Sequence, residues 1–135
     1  MSQIDRRAKG MKIMHEMHGR ERAEAVCQKW RQMCPDLERF IVEFVAGDIW
    51  GRPGLDRRTR SLITIAVLTV QGRALALEHN LRKSFNNGVN REDIVETMLQ
   101  LAAYAGFPAC WEGMQMAHKV FQEMDQKEAE GRHER

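Results

Sequence analysis

Residues Gly47 to His79 read GDIWGRPGLDRRTRSLITIAVLTVQGRALALEH. The stretch opens with a loop punctuated by Gly47, Gly51, Pro53 and Gly54 and carrying Asp48, Trp50 and Arg52. So many glycines and prolines from Gly47 to Leu55 argue against regular structure there. Asp56 suits the N-cap of the helix that follows. From Leu62 to Val70 that helix is apolar on nearly every side, as a central buried helix should be. Gly72 ends it. Ala74 to Asn86 forms the next helix, with Leu77, Leu81 and Phe85 on one face and His79, Arg82 and Lys83 elsewhere around it. A polar, aromatic loop held by a buried helix and followed by a titratable group reads as a site on a rigid helical frame.

Helical spacing continues outward in both directions. Towards the N-terminus, Ile4 to Met17 is charged, with loosely spaced Met11, Met14 and Met17; it reads as a helix that is frayed or ordered against a neighbouring subunit. Gly19 breaks it, and Ala23, Cys27, Trp30 and Met33 mark a second helix. Pro35 opens a third, because proline is tolerated in a first turn. Leu37, Phe40, Ile41, Phe44 and Val45 form its apolar stripe, which stops at Gly47. Towards the C-terminus, Asn87-Gly88 suits a left-handed cap, and Asn90 with Asp93 resembles a helix start. Ile94, Val95, Met98, Leu99 and Ala102 continue that helix to Gly106. Pro108 opens the last one, striped by Cys110, Met114, Ala117, Phe121 and Met124. The polar tail 126–135 is expected to be disordered. No alternating strand pattern, repeat or low-complexity tract interrupts this, so the expectation is a single all-α bundle.

At 135 residues the chain is one domain by length. Its 21 basic and 19 acidic residues are intermixed, which disfavours nucleic acid as a partner. No apolar run reaches membrane-spanning length, and the N-terminus lacks a signal-peptide core, so a cytoplasmic protein with no membrane partner is expected. Cys27, Cys34 and Cys110 are an odd set without C-x-x-C spacing, which argues against a disulfide framework, a dithiol centre or a zinc knuckle. The nine methionines suit irregular packing between helices or at a subunit interface.

Two features can carry chemistry. Arg52, Arg57, Arg58 and Arg60 crowd the loop and first helical turn, and guanidinium groups offer a planar fork for carboxylates. The plainer reading is a solvated surface paired with Asp48 and Asp56, and composition alone favours it. His79 can serve as a general acid or base near neutral pH, although a lone helical histidine is more often an ordinary half-buried side chain. His15, His18, His118 and His133 have weaker contexts. There is no H-x-x-x-H pair, dinucleotide fingerprint, P-loop or serine elbow, so neither a metal nor a cofactor is implied.

The runs GDIWGRPGLDRRTRSLITIAVL, LEHNLRKSFNNGVNREDIVE and LAAYAGFPA resemble the gamma-carboxymuconolactone decarboxylase family, nearly collinearly from about Met11 to Glu123. The resemblance implies an alkylhydroperoxidase D-like helical fold assembled as a homo-oligomer, a trimer or hexamer. It also implies decarboxylation of 4-carboxymuconolactone to 3-oxoadipate enol-lactone, in the protocatechuate branch of aromatic breakdown. Carried onto matching positions, it points to Arg60 and His79 as catalytic and to Asp48, Trp50, Arg52 and Tyr104 as substrate-binding. Peroxidase-type relatives carry C-x-x-C four residues before the histidine; Gly72 and Leu75 stand there, leaving no dithiol to cycle. Cys110, Trp111 and Glu112 depart from the small residues and asparagine of the relatives. Trp111 can narrow a substrate pocket or belong to a subunit contact. The alternatives are another small acidic lactone or keto acid as substrate, a non-catalytic helical oligomer, and a thiol activity through Cys110.

Overall fold

The computed structural model describes residues 2–133, and among these every regular element is helical. By contact the chain forms two compact units, Met1–Arg60 and Ser61–Arg135.

In the first unit, Ser2 caps α1 (Gln3–His18), its hydroxyl accepting from the Asp5 N–H at 3.2 Å. The helix ends at Gly19, whose φ of 81° suits a residue without a Cβ. Helix α2 (Arg20–Met33) follows, then α3 (Pro35–Phe40), which passes directly into a π-helical segment, Ile41–Trp50. Ile13, Met14 and Met17 of α1 pack with Ala23, Cys27, Val42, Ala46 and Trp50 in one core. The first helix is therefore ordered against its own chain, with Met14 and Met17 buried and Met11 packed partly buried beside them.

Two expectations fail in the third helical stretch. Gly47 does not end it, since the wider winding runs on to Trp50 and the loop begins only at Gly51. Such π segments are usually a single turn; this one is 10 residues long. Its apolar stripe also does not face inward: Leu37, Phe40, Phe44 and Val45 are exposed, while Glu38, Val42, Glu43 and Ala46 are buried. Arginines make that tolerable. Glu38 accepts from Arg7 at 2.7 and 3.1 Å and from Arg31 at 2.7 Å. Arg6 and Arg39 lie 3.7 and 3.9 Å from Glu43. Buried carboxylates persist when paired in this way.

The second unit is built from the continuation of α4 (Arg57–Gln71), with α5 (Ala74–Asn86), α6 (Arg91–Ala105) and α7 (Phe107–His133). Its core joins Ile65, Leu77, Leu81, Val89, Ile94, Met98, Cys110, Ala117 and Val120. Asn90 and Asp93 form the expected reciprocal capping box. Gly72, Gly88 and Gly106 all take positive φ at the helix junctions. Gly113 brings α7 so close that a Cβ there would lie 2.6 Å from both Met98 Sδ and Thr69 Cγ2.

Helix α4 is not buried all round. Ser61, Ile65 and Thr69 form its inward row, whereas Ile63, Val67 and Val70 are exposed. The expected disordered tail is helical through residues 126–133, because α7 continues to His133; residues 134 and 135 lie outside the described chain. No helix among the described residues is long and apolar enough to cross a membrane.

Candidate functional site

The turn between the π-helical segment and α4 is fixed by main-chain contacts. At Gly51 a Cβ would stand 2.4 Å from the Gly47 carbonyl oxygen, so only glycine lets the chain leave the helix at this angle. Asp56 caps α4 as expected, its carboxylate accepting from the Thr59 N–H at 2.7 Å. That backbone hydrogen bond holds the Asp56 carboxyl below its usual range. Arg60 reaches back over the turn. Its Nε donates to the Leu55 carbonyl at 3.1 Å and its Nη2 to the Arg52 carbonyl at 3.2 Å.

Arg52 and Arg60 are thus brought together by a side chain-to-backbone clamp. Asp48 is not paired with the loop arginines; it accepts from Arg6 of α1 at 2.6 Å. Arg57 pairs instead with Glu16 at 2.7 Å. Trp50 is buried in the core of the first unit. An open groove of about 450 Å³ in that unit is lined by Gln3, Ile4, Arg7, Ala8, Arg39 and Glu43, none of them an expected site residue.

In the second unit His79 sits half-buried on α5, between the core residues Leu77 and Leu81. An ion-pair network lies beside it along the helix. Glu78 accepts from Lys119 at 2.8 Å and from Arg82 at 3.0 Å, and Arg82 also pairs with Glu123. Lys119 and Arg82 hold the Glu78 carboxyl below its ordinary value. Tyr104 and Trp111 are 84% and 65% exposed, and Glu112 is exposed beside a buried Cys110.

The structure adds three residues to which the sequence reading gave no functional role. Lys83 and Asn87 are each only 8% exposed, and Ser61 is buried in the same unit. Burial pushes the Lys83 amine down to about 8, since a charged ammonium is disfavoured away from water. Asn87 Nδ2 donates to Ser61 Oγ at 2.9 Å, and Asn87 Oδ1 is buried without a hydrogen bond. The available signal was the i, i+4 register of His79 and Lys83, which puts them on one helical face, with Asn87 at the C-cap just beyond.

Among the described residues every regular element is helical, with a clamped glycine-rich turn before α4 and a half-buried histidine on α5, an all-α architecture that fits the alkylhydroperoxidase D-like kind. Residues 35–119, more than half of the sequence, match the model of the carboxymuconolactone decarboxylase family, and the chain belongs to that family. It is 38% identical over 124 residues to the 4-carboxymuconolactone decarboxylase of Acinetobacter baylyi, covering 92% of each chain. It is 34% identical over 118 residues to the nitrosuccinic acid decarboxylase of Metarhizium robertsii, covering 87% of this chain and 82% of that one. An uncharacterised 15.0 kDa protein of Paracoccus denitrificans is 33% identical over 99 residues, covering 71% and 73%.

Proposed function

We propose that the chain is a carboxy-lyase that decarboxylates 4-carboxymuconolactone to 3-oxoadipate enol-lactone without a cofactor. It would work as a cytoplasmic homo-oligomer, trimeric or hexameric, of a single domain type. The observation that carries the reading is the nearly full-length similarity to a decarboxylase named for that substrate. A second relative, also named a decarboxylase, supports the reaction class. The exposed apolar residues Ile63, Val67, Val70 and Trp111 support assembly, since patches of this kind commonly mark interaction sites.

The two named substrates share a chemical logic. In the lactone, the departing carboxylate sits on a ring carbon joined through a double bond to the carbonyl. Loss of carbon dioxide leaves a dienolate whose charge rests largely on the carbonyl oxygen. In nitrosuccinic acid the nitro group receives the electrons. Each substrate is a dicarboxylate that carries its own electron sink, so the protein needs only to bind, desolvate and protonate.

Arg52 and Arg60 are assigned to the retained carboxylate, through charge-assisted hydrogen bonds. His79 is assigned the proton that adds to carbon next to the carbonyl. Asp48, Trp50, Tyr104 and Trp111 are assigned to substrate binding; Asp48 would act by holding α1 against the turn through Arg6.

Ultraviolet-monitored turnover of freshly generated 4-carboxymuconolactone tests the reading, with His79→Ala as control. Wild-type turnover that falls about a hundredfold or more in the variant is the expected result. A folded wild type that leaves the substrate untouched would overturn the assignment, and nitrosuccinate would be the next substrate to test.

A further inference from the structure

We propose that Lys83 is a further catalytic residue of this site, its ammonium facing the oxygen of the substrate's electron sink while His79 delivers the proton. The proposal rests on the reading of His79 as the acid. Its substrate class is a small dicarboxylate whose electrons move onto a carbonyl or nitro oxygen.

Placement is the first support. His79 and Lys83 stand four residues apart on α5, so their Cβ atoms are about 5–6 Å apart on one face. A long helical side chain lies over the turn N-terminal to its own Cα, which leads the Lys83 chain back towards His79. The reaction requires this proximity. The proton goes to a carbon one bond from the carbonyl carbon, so the acid and the group facing the carbonyl oxygen must be neighbours.

Burial is the second. Lysine ordinarily snorkels to water, and a fully buried ammonium is costly. Here it is 8% exposed in a unit whose buried core is mostly aliphatic. The same dryness strengthens the action of the ammonium on charge that develops in the transition state.

The third support lies one turn further on. Asn87 is equally buried, and its Oδ1 has no hydrogen-bond partner although its Nδ2 is held by Ser61. Unsatisfied buried acceptors are rare and call for an explanation. An acceptor that lacks a donor, at the C-cap just beyond a buried cation, marks this end of α5 as polar machinery that a substrate completes.

The test is steady-state turnover of 4-carboxymuconolactone by Lys83→Met alongside wild type, with thermal unfolding of both. Methionine keeps the length of the chain and removes the charge. Thermal unfolding reports whether the fold survives that change. The expected result is a kcat lower by about a hundredfold to a thousandfold, the cost of losing one oxyanion donor, with KM little changed. Should Lys83→Met not fold, Lys83→Ala provides the second arm: added n-propylammonium should restore its turnover saturably, which a packing defect would not allow. Normal kcat in Lys83→Met with an active wild type overturns the inference and leaves the decarboxylase reading standing. A rise in KM alone also overturns it. An inactive, folded wild type overturns both.

Discussion

The Arg60 guanidinium donates to the main-chain carbonyl of Arg52 at 3.2 Å, across the turn that Arg60 itself follows. With the second bond to Leu55, one side chain fixes both ends of the exposed segment between the π-helical stretch and α4. Arg60 is thus part of the scaffold as well as an assigned carboxylate anchor. A lysine keeps the charge but cannot present the same planar pair of donors. Arg60→Lys should therefore lower stability by about 1 kcal/mol, the net worth of a hydrogen bond, and raise KM several-fold by loosening Arg52. Urea unfolding and steady-state kinetics check this together. An unchanged KM in the lysine variant would show that binding does not need the clamp.

Glu38 gives the first unit a specific sensitivity to acid. Its carboxylate is buried and accepts from Arg7 and Arg31, whose hydrogen bonds hold it below its ordinary value of 4.5. Folded Glu38 takes up a proton less readily than unfolded Glu38, so protonation favours the unfolded chain. The stabilisation is complete above about pH 4.5 and is lost as pH falls through the depressed folded value. Glu38→Gln should cost about 1.5–3 kcal/mol at pH 7, as hydrogen bonds to charged groups do. The gap between wild type and variant in urea unfolding should narrow steadily below pH 4.5. A gap that stays constant down to pH 3 would contradict this account.

Gly10 and Gly131 should respond oppositely to alanine. A Cβ at Gly10 would lie 2.0 Å from the Val42 carbonyl oxygen and 2.7 Å from its carbon, both main-chain atoms that cannot move aside cheaply. Gly10→Ala should cost about 1–3 kcal/mol, the usual range for overpacking. At Gly131, within α7, a Cβ meets nothing within 4 Å. Gly131→Ala should stabilise by up to about 1 kcal/mol through helix propensity. Denaturant midpoints of the two variants settle both signs.

These glycines also show where the sequence was legible. Gly19, Gly72, Gly88 and Gly106 sit at helix junctions with positive φ, and local chemistry placed them there correctly. So did the Asp56 cap and the Asn90–Asp93 box, since caps depend on neighbours within a few residues. Gly47 misled because its surroundings are long-range: it is buried beside Gly10 of α1, where a Cβ would make only ordinary contacts from 3.5 Å, and it lies within a packed helical segment that runs on to Trp50. Residues Glu38 and Glu43 face inward for a similar reason, as their arginine partners come from α1, α2 and α3. Helical register placed Lys83 one turn from His79, but its burial depends on what surrounds α5. The assigned site splits along the same line: the Arg60 turn was readable locally, whereas Lys83 and Asn87 required the fold.

The thiols offer a last check on which chemistry this chain supports. Cys27 is buried in the first core, and burial, with smaller contributions from Glu38 and Glu24, pushes its thiol up to about 11. Only about one molecule in a thousand would carry the Cys27 thiolate at pH 8, and the thiolate is the reactive form. Cys110 is buried as well, while Cys34 is exposed at the start of α3. An aromatic disulfide reagent at pH 8 should therefore titrate one thiol rapidly in the native protein and all three in denaturant. Cys34→Ser should abolish the fast phase and leave decarboxylation unchanged. A fast phase that survives in Cys34→Ser would place a reactive thiol where the packing allows none. Its loss, with turnover intact, would separate this chain's chemistry from dithiol relatives on the same ground as Gly72 and Leu75, which stand where a redox pair would have to be.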